Sequence, residues 1–93
     1  MNQTTQKILI VDDHTIMRDG LHSLIASEPG FEVVGTAADG KTAIRCVGDL
    51  KPDIVMMDLT MPGTSGVDAI AHIKRQYPHV KLVALTFHKE DQY

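Results

Sequence analysis

The chain has 93 residues, of which 43% are hydrophobic and 23% charged, a balance typical of one small globular domain. Its net charge of -3 argues against a nucleic-acid-binding surface, which usually carries a basic stripe. Cys46 is the only cysteine, so no internal disulfide can form, and it is interpreted as a small packing residue. Since the sequence shows neither a signal peptide nor a long apolar stretch, we expect a cytoplasmic protein without membrane contact.

Strand and helix patterns alternate along the chain. The predicted strands are residues 7–11, 32–37, 54–58 and 81–86. Between them, apolar residues recur at helical spacing from Ile16 to Ile25, from Ala43 to Leu50 and from Val67 to Ile73. Each helix pattern ends near a proline, at Pro29, Pro52 and Pro78. This order predicts an α/β fold with a doubly wound parallel sheet and helices on both faces.

Two of these strands are continuous apolar runs that end in acids. The first leads into Asp12 and Asp13, and the third ends at Asp58. Runs without polar alternation are typical of strands buried on both faces. The carboxyl ends of parallel strands meet at one edge of the sheet, where ligands bind. We therefore expect these acids and Thr86 to converge, provided that the strands of Asp12 and Asp58 are neighbours.

The expected cluster favours a magnesium site. Close carboxylates repel one another, and a divalent ion relieves that repulsion. All the candidate ligands are oxygens, which suits Mg²⁺ better than zinc. Asp58 could then act as a nucleophile that forms an aspartyl phosphate, with the Thr86 hydroxyl donating to a phosphoryl oxygen. His14 is interpreted as a helix-start residue beside the site, His22 and His72 are interpreted as solvated helix positions, and no histidine is assigned as a ligand.

Several motifs carry a family resemblance. Asp12-Asp13 after Lys-Ile-Leu-Ile-Val, Asp58 before Leu-Thr-Met-Pro, Gly66 and Leu85-Thr86 resemble the receiver domain of bacterial two-component response regulators. The stretches DHTIMRDGL from Asp13 and VGTAADG from Val34 are similar to the NarL/FixJ (LuxR-type) subfamily of transcription regulators. The resemblance spans the chain from about Lys7 to Tyr93.

The resemblance implies a function and a set of site residues. Asp58 would accept a phosphoryl group from a sensor histidine kinase, and the domain would not itself be an enzyme. Asp13 and Asp58 would bind Mg²⁺ directly, Asp12 through water, and Thr60 through its main-chain carbonyl. Thr86 would be the switch hydroxyl. The fold would be flavodoxin-like (CheY-like), and its strand order, 2-1-3-4-5, is borrowed from those relatives.

The sequence departs from the family pattern at its carboxyl end. Residues 1–93 would be a single incomplete receiver domain that lacks the last strand, the lysine ending it and the last helix. Lys89 directly follows the fourth strand and is not that lysine. DNA binding would depend on a C-terminal helix-turn-helix domain that is absent from these residues. The uncovered fourth strand predicts homo-oligomer formation or aggregation.

Two alternative functions remain open from the residues. A phosphohydrolase of the haloacid-dehalogenase type also uses an aspartate at a strand end with Mg²⁺, but its motif requires a second aspartate where this chain has Thr60. The other alternative is an interaction remnant that no longer accepts phosphate.

Overall fold

The computed structural model describes residues 5–59 and 66–85. These residues form four strands and three helices: β1 (Gln6–Val11), α1 (Thr15–Ala26), β2 (Phe31–Ala37), α2 (Gly40–Leu50), β3 (Ile54–Asp58), α3 (Gly66–Gln76) and β4 (Lys81–Leu85). The alternation of strands and helices agrees with the prediction, and β1 and β2 each begin one residue earlier than predicted. No helix among them is long and apolar enough to cross a membrane.

All four strands lie in one parallel sheet with the order β2-β1-β3-β4. This order agrees with the first four positions of the order borrowed from the family. In the register of β1 with β3, Val11 pairs with Met57. The next residues of the two strands, Asp12 and Asp58, therefore reach the carboxyl edge at the same level. The prediction that their strands are neighbours is confirmed.

The main hydrophobic core lies on one face of the sheet, under α2 and α3. Successive residues of a strand point to opposite faces, and the alternate residues of β1 and β3 contribute to this core. Its strand members are Leu9, Val11, Ala37, Val55 and Met57, and its helix members are Ala43, Val47, Ala69 and Ile73. The two helices also contact each other, so this face is closed.

The opposite face is only partly covered. Helix α1, the helix that the structure describes on this side, lies over β1 and β2 and has no fully buried residue. A groove of about 340 Å³ separates it from Met56 and Val83. The prediction that both apolar strands are buried on both faces is correct for Ile8–Val11 but wrong for β3, where Met56 is half-buried. Apolar patterning shows that a face favours burial, but not which element covers it.

The ends of α2 follow from local chemistry. Asp39 is its N-cap, and the side chain accepts a 2.8 Å hydrogen bond from the backbone N–H of Thr42, which satisfies one of the free donors at a helix start. At the other end Lys51 adopts a left-handed conformation with φ 51°. Pro52 follows it and cannot continue the helix. The chain then enters β3 in the direction that carries Asp58 to the same edge as Asp12.

Candidate functional site

Two buried carboxylates lie side by side at the carboxyl edge of the sheet. Asp12 directly follows β1, Asp58 is the last residue of β3, and both are fully buried. Sheet pairing holds the backbone on each side of them. The N–H of Asp12 donates to the carbonyl of Ala37 at 3.0 Å, and the N–H of Leu59 donates to the carbonyl of Leu85 at 2.9 Å. Both acids are thus held by the sheet itself rather than by a free loop.

Asp13 and His14 complete a cluster with these acids. One ligand atom from each of Asp12, Asp13, His14 and Asp58 lies within 4.8 Å of the others. The Nδ1 atom of His14 is 3.1 Å from Oδ1 of Asp12 and 3.1 Å from Oδ1 of Asp13. It is 4.0 Å from Oδ2 of Asp58. The expected convergence of the three acids is therefore observed.

Thr60 and Thr86, the other residues expected at this site, lie outside the residues that the structure describes. Their assignments stay predictions.

Local hydrogen bonds orient the Asp12 side chain. Its Oδ1 atom accepts a 2.8 Å hydrogen bond from the backbone N–H of His14, which forms a turn that aspartate favours. Its main-chain carbonyl accepts a 2.8 Å hydrogen bond from Nη1 of Arg18. The other oxygen, Oδ2, is buried and accepts no hydrogen bond from residues 5–59 or 66–85. A buried oxygen in this state is costly unless another group satisfies it.

The cluster fits a divalent cation. Its negative charges are partly offset by the Arg18 guanidinium and by the positive end of the α1 helix, which begins at Thr15. A metal ion would supply the remaining positive charge and would satisfy the Oδ2 atom of Asp12. Opposite ligands of an octahedral Mg²⁺ ion are about 4.2 Å apart. The ligand atoms of the cluster lie within 4.8 Å of one another, so the side chains need to move inward only slightly to bind one ion.

Gly66 allows α3 to start directly against the site. A Cβ atom at this position would lie 2.9 Å from the carbonyl oxygen of Asp58 and 3.1 Å from the Cα of Leu59. Both are backbone atoms of the segment that carries the Asp58 carboxylate. Backbone atoms cannot move aside as the end of a flexible side chain can. The presence of glycine at position 66 is thus explained by the close approach of the start of α3 to the backbone of Asp58 and Leu59.

Sequence reasoning missed two contributions to the site. His14 was expected beside the site, and it is the N-cap residue of α1, but its ring also joins the carboxylate cluster. Arg18 was noted only as part of a motif. The available signal was spacing: His14 directly follows the acids, and Arg18 lies one helical turn further along, on the same side of α1.

The remaining histidine interpretations had mixed outcomes. His22 is exposed, as expected for a solvated helix position. The same expectation is wrong for His72, which is half-buried. His72 lies three residues after the buried Ala69 and so shares the side of α3 that packs inward. The interpretation of Cys46 as a packing residue agrees with its position against the core.

Comparisons with known proteins agree with this geometry. The family profile of the response regulator receiver domain matches residues 8–93. The chain is 44% identical over 86 residues to the response regulator protein VraR of Staphylococcus epidermidis, covering 92% of this chain and 41% of that protein. It is 38% identical over 93 residues to the transcriptional regulatory protein DegU of Brevibacillus brevis, covering 100% of this chain and 39% of that protein.

A solved structure shares the fold. The crystal structure of a two-component response regulator of the LuxR family from Aurantimonas sp. SI85-9A1 matches with a TM-score of 0.86 and 42% identity. The match covers 92% of this chain and 61% of that one. The chain thus spans about two fifths of the length of the curated relatives named above.

Proposed function

The chain belongs to the receiver domain family of two-component response regulators, and from that premise we propose that Asp58 accepts a phosphoryl group in a reaction that depends on Mg²⁺. The observation that carries the proposal is the position of the Asp58 carboxylate. It is fully buried at the end of β3, with ligand atoms of Asp12 and Asp13 within 4.8 Å. A carboxylate held in place beside a cation site has the arrangement that nucleophilic phosphoryl transfer requires.

The donor in the proposed reaction is a phosphohistidine of a sensor histidine kinase. A carboxylate oxygen of Asp58 attacks phosphorus, the new O–P bond forms, and the N–P bond breaks with its electron pair leaving on the imidazole of the donor. A bound Mg²⁺ would neutralise negative charge on the phosphoryl oxygens. In this proposal Asp13 and Asp58 would bind the ion directly and Asp12 would bind it through water. Asp12 is suited to that role because the His14 N–H holds Oδ1 and leaves Oδ2 available.

The main-chain carbonyl of Thr60 and the hydroxyl of Thr86 complete the proposed site as a metal ligand and as the donor to a phosphoryl oxygen. Both residues follow strands that end at this edge, β3 and β4. Phosphorylation would control transcription in the whole regulator through a C-terminal DNA-binding domain outside these 93 residues. DegU, of which the chain covers 39%, is a transcriptional regulatory protein, which supports that assignment.

Intact mass measurement tests the proposal. Incubation of the protein with acetyl phosphate and Mg²⁺ should add one phosphoryl group, and chelation of the metal should prevent the addition. Asp58→Asn should take up none, since an amide oxygen is a much weaker nucleophile than a carboxylate. Asp53→Asn is the matched control, because Asp53 precedes the same strand at the opposite edge of the sheet. It should be labelled like the parent.

Three outcomes would contradict the proposal. Full labelling of Asp58→Asn would show that another residue is the acceptor. Continuous release of phosphate by the parent, with no stable adduct, would favour the phosphohydrolase alternative. A parent that takes up no phosphoryl group would favour an interaction module instead.

A further inference from the structure

We propose that the imidazole of His14 is a ligand of the metal site, and that it strengthens the binding of later first-row transition ions such as Co²⁺ more than that of Mg²⁺. This inference rests on the proposed metal site at the carboxyl edge of the sheet. It adds a nitrogen ligand to a set that the sequence predicts to consist of oxygens alone.

The distances fit a shared coordination sphere. In an octahedral site with bonds of about 2.1 Å, neighbouring ligands are about 3 Å apart and opposite ligands about 4.2 Å apart. The Nδ1 atom of His14 is 3.1 Å from Oδ1 of Asp13, as for neighbouring ligands. It is 4.0 Å from Oδ2 of Asp58, close to the separation of opposite ligands. One ion can therefore reach His14, Asp13 and Asp58 directly after a small inward shift, and Asp12 through a bound water.

The fold positions this ring without using it as a helix cap. His14 is the N-cap residue of α1, yet its side chain makes no capping hydrogen bond. The backbone on each side is restrained, since the N–H of His14 donates to Asp12 and its carbonyl accepts from the N–H of Arg18 at 2.9 Å. The side chain is 65% exposed, so its outer edge meets solvent while Nδ1 faces the carboxylates. The ring can thus bind an ion at little cost in conformational freedom.

A second observation points to a ligand at this place. The Oδ2 atom of Asp12 belongs to a side chain with no exposed surface, and it accepts no hydrogen bond from the described part of the chain. The His14 ring pairs with Oδ1 of Asp12 at 3.1 Å, and that pairing leaves Oδ2 unsatisfied. An ion among these residues would bind the nitrogen and would satisfy the buried oxygen through a bound water.

The chemistry of the nitrogen sets the selectivity. Mg²⁺ is a hard ion that takes oxygen ligands, whereas imidazole suits later first-row ions. Removal of His14 should therefore weaken Co²⁺ binding far more than Mg²⁺ binding. Removal of a carboxylate ligand should weaken both.

Calorimetric titration at neutral pH measures this difference directly. Dissociation constants for Co²⁺ and Mg²⁺ are compared in the parent, in His14→Gln and in His22→Gln, with the visible spectrum of bound Co²⁺ as a second measurement. His22→Gln is the matched control, since His22 is an exposed histidine of the same helix. We expect His14→Gln to raise the dissociation constant of Co²⁺ at least about tenfold and that of Mg²⁺ less than about twofold. The Co²⁺ spectrum should change only in His14→Gln.

The inference fails if His14→Gln changes both dissociation constants by the same factor, or if it leaves the Co²⁺ spectrum as in the parent. The variant Asp13→Ala separates this failure from failure of the proposed function. If Asp13→Ala loses both ions while His14→Gln loses neither, the metal site stands and only the nitrogen ligand is refuted. If Asp13→Ala binds both ions like the parent, the proposed metal site itself is refuted.

Discussion

Negative charge is concentrated at one edge of the sheet, and single substitutions there should affect metal binding and stability in opposite directions. Asp12 and Asp58 are fully buried, while the Asp13 side chain keeps about a quarter of its surface exposed. Their mutual repulsion is a cost to the metal-free fold. The positive charge of the Arg18 guanidinium lies beside the cluster and reduces that cost. Arg18 donates to the main-chain carbonyl of Asp12 rather than to a carboxylate oxygen, which leaves the carboxylates available to an ion.

Asp13→Ala should stabilise the metal-free protein and abolish its response to Mg²⁺. Loss of one of three close carboxylates relieves repulsion, by about 1 kcal/mol after allowing for the screening of a partly exposed group. In the parent, a Mg²⁺ concentration one hundred times the Kd should add about 2.7 kcal/mol. Thermal unfolding with and without Mg²⁺ measures both effects.

The control for this experiment is Asp49→Ala, which removes an exposed carboxylate near the end of α2, away from the cluster. It should keep the full Mg²⁺-dependent shift of the parent. A shift as large in Asp13→Ala as in the parent would rule out Asp13 as a ligand.

At the scale of the elements, the start of α3 determines how closely that helix approaches β3. Gly66→Ala should destabilise the protein by about 1–3 kcal/mol, the range typical of overpacking. The new methyl group would meet the backbone of Asp58 and Leu59 at 2.9 and 3.1 Å, and neither atom can move without shifting the strand. Chemical denaturation measures the free energy of unfolding.

Gly20→Ala is the matched control for that substitution. Gly20 lies within α1, and a Cβ there would meet no atom within 4 Å. Alanine should therefore stabilise the helix by roughly 0.5–1 kcal/mol. If Gly66→Ala and Gly20→Ala change the free energy of unfolding equally, helix propensity and not close packing at Gly66 determines the effect of these substitutions.

The N-cap of α2 should make a pH-dependent contribution to stability. The backbone N–H of Thr42 donates to Asp39 and lowers the pKa of this carboxyl group, with the Thr42 side chain as a second cause. A lowered pKa in the folded state means that the contribution is complete above the pKa of the unfolded chain. It is lost as the pH falls through the lower, folded value.

Asp39→Ala should accordingly lower the melting temperature by a few degrees near neutral pH, and its difference from the parent should narrow in acid. Asp39→Asn keeps a capping oxygen without a titratable charge and should stay close to the parent at neutral pH. Melting curves recorded from neutral to acidic pH test this. If the difference in melting temperature between the parent and Asp39→Ala does not change with pH, the negative charge of Asp39 does not contribute to the N-cap.

At the scale of the whole molecule, the two faces of the sheet differ in how well they are covered. The face under α2 and α3 carries the closed core. The face under α1 carries an apolar groove whose walls include Leu24, Phe31 and Val83. Val83 is 42% exposed and lies on β4, which is an edge strand among the described elements. Exposed apolar patches and unpaired strand edges both promote association.

The 93-residue chain should therefore self-associate, by pairing of β4 edges, by exchange of elements or by aggregation. Light scattering coupled to size exclusion measures the state of the protein in solution. Val83→Lys should shift it toward the monomer, because a lysine places a charge in the groove and on the edge strand. Ile16→Lys changes a residue that is 87% exposed but does not line the groove, and it should have no such effect.

A compact monomer of the parent that unfolds cooperatively would refute this prediction. Equal effects of the two lysine substitutions would show that the groove is not the surface responsible.

The sequence by itself determined the order of the elements and the acids that end the strands. Strand and helix are local properties, since they follow from the periodicity of apolar residues over short windows and from residues such as Pro29 and Pro52 that stop them. Parallel connectivity then implied one edge for Asp12 and Asp58. The role of Thr60 came from the family resemblance alone, whereas that of Thr86 came also from its place at a strand end, and both stay predictions.

Only the tertiary structure decided which surfaces meet. The neighbours of each strand, the open face beside α1 and the contact of Gly66 with the backbone of Asp58 depend on residues far apart in the chain, whose distances no local pattern encodes. His14 shows the same limit at the site. Its ring reaches the carboxylates because the turn between β1 and α1 directs Nδ1 toward two strand ends at once, and the direction of a side chain is determined by the packed backbone around it.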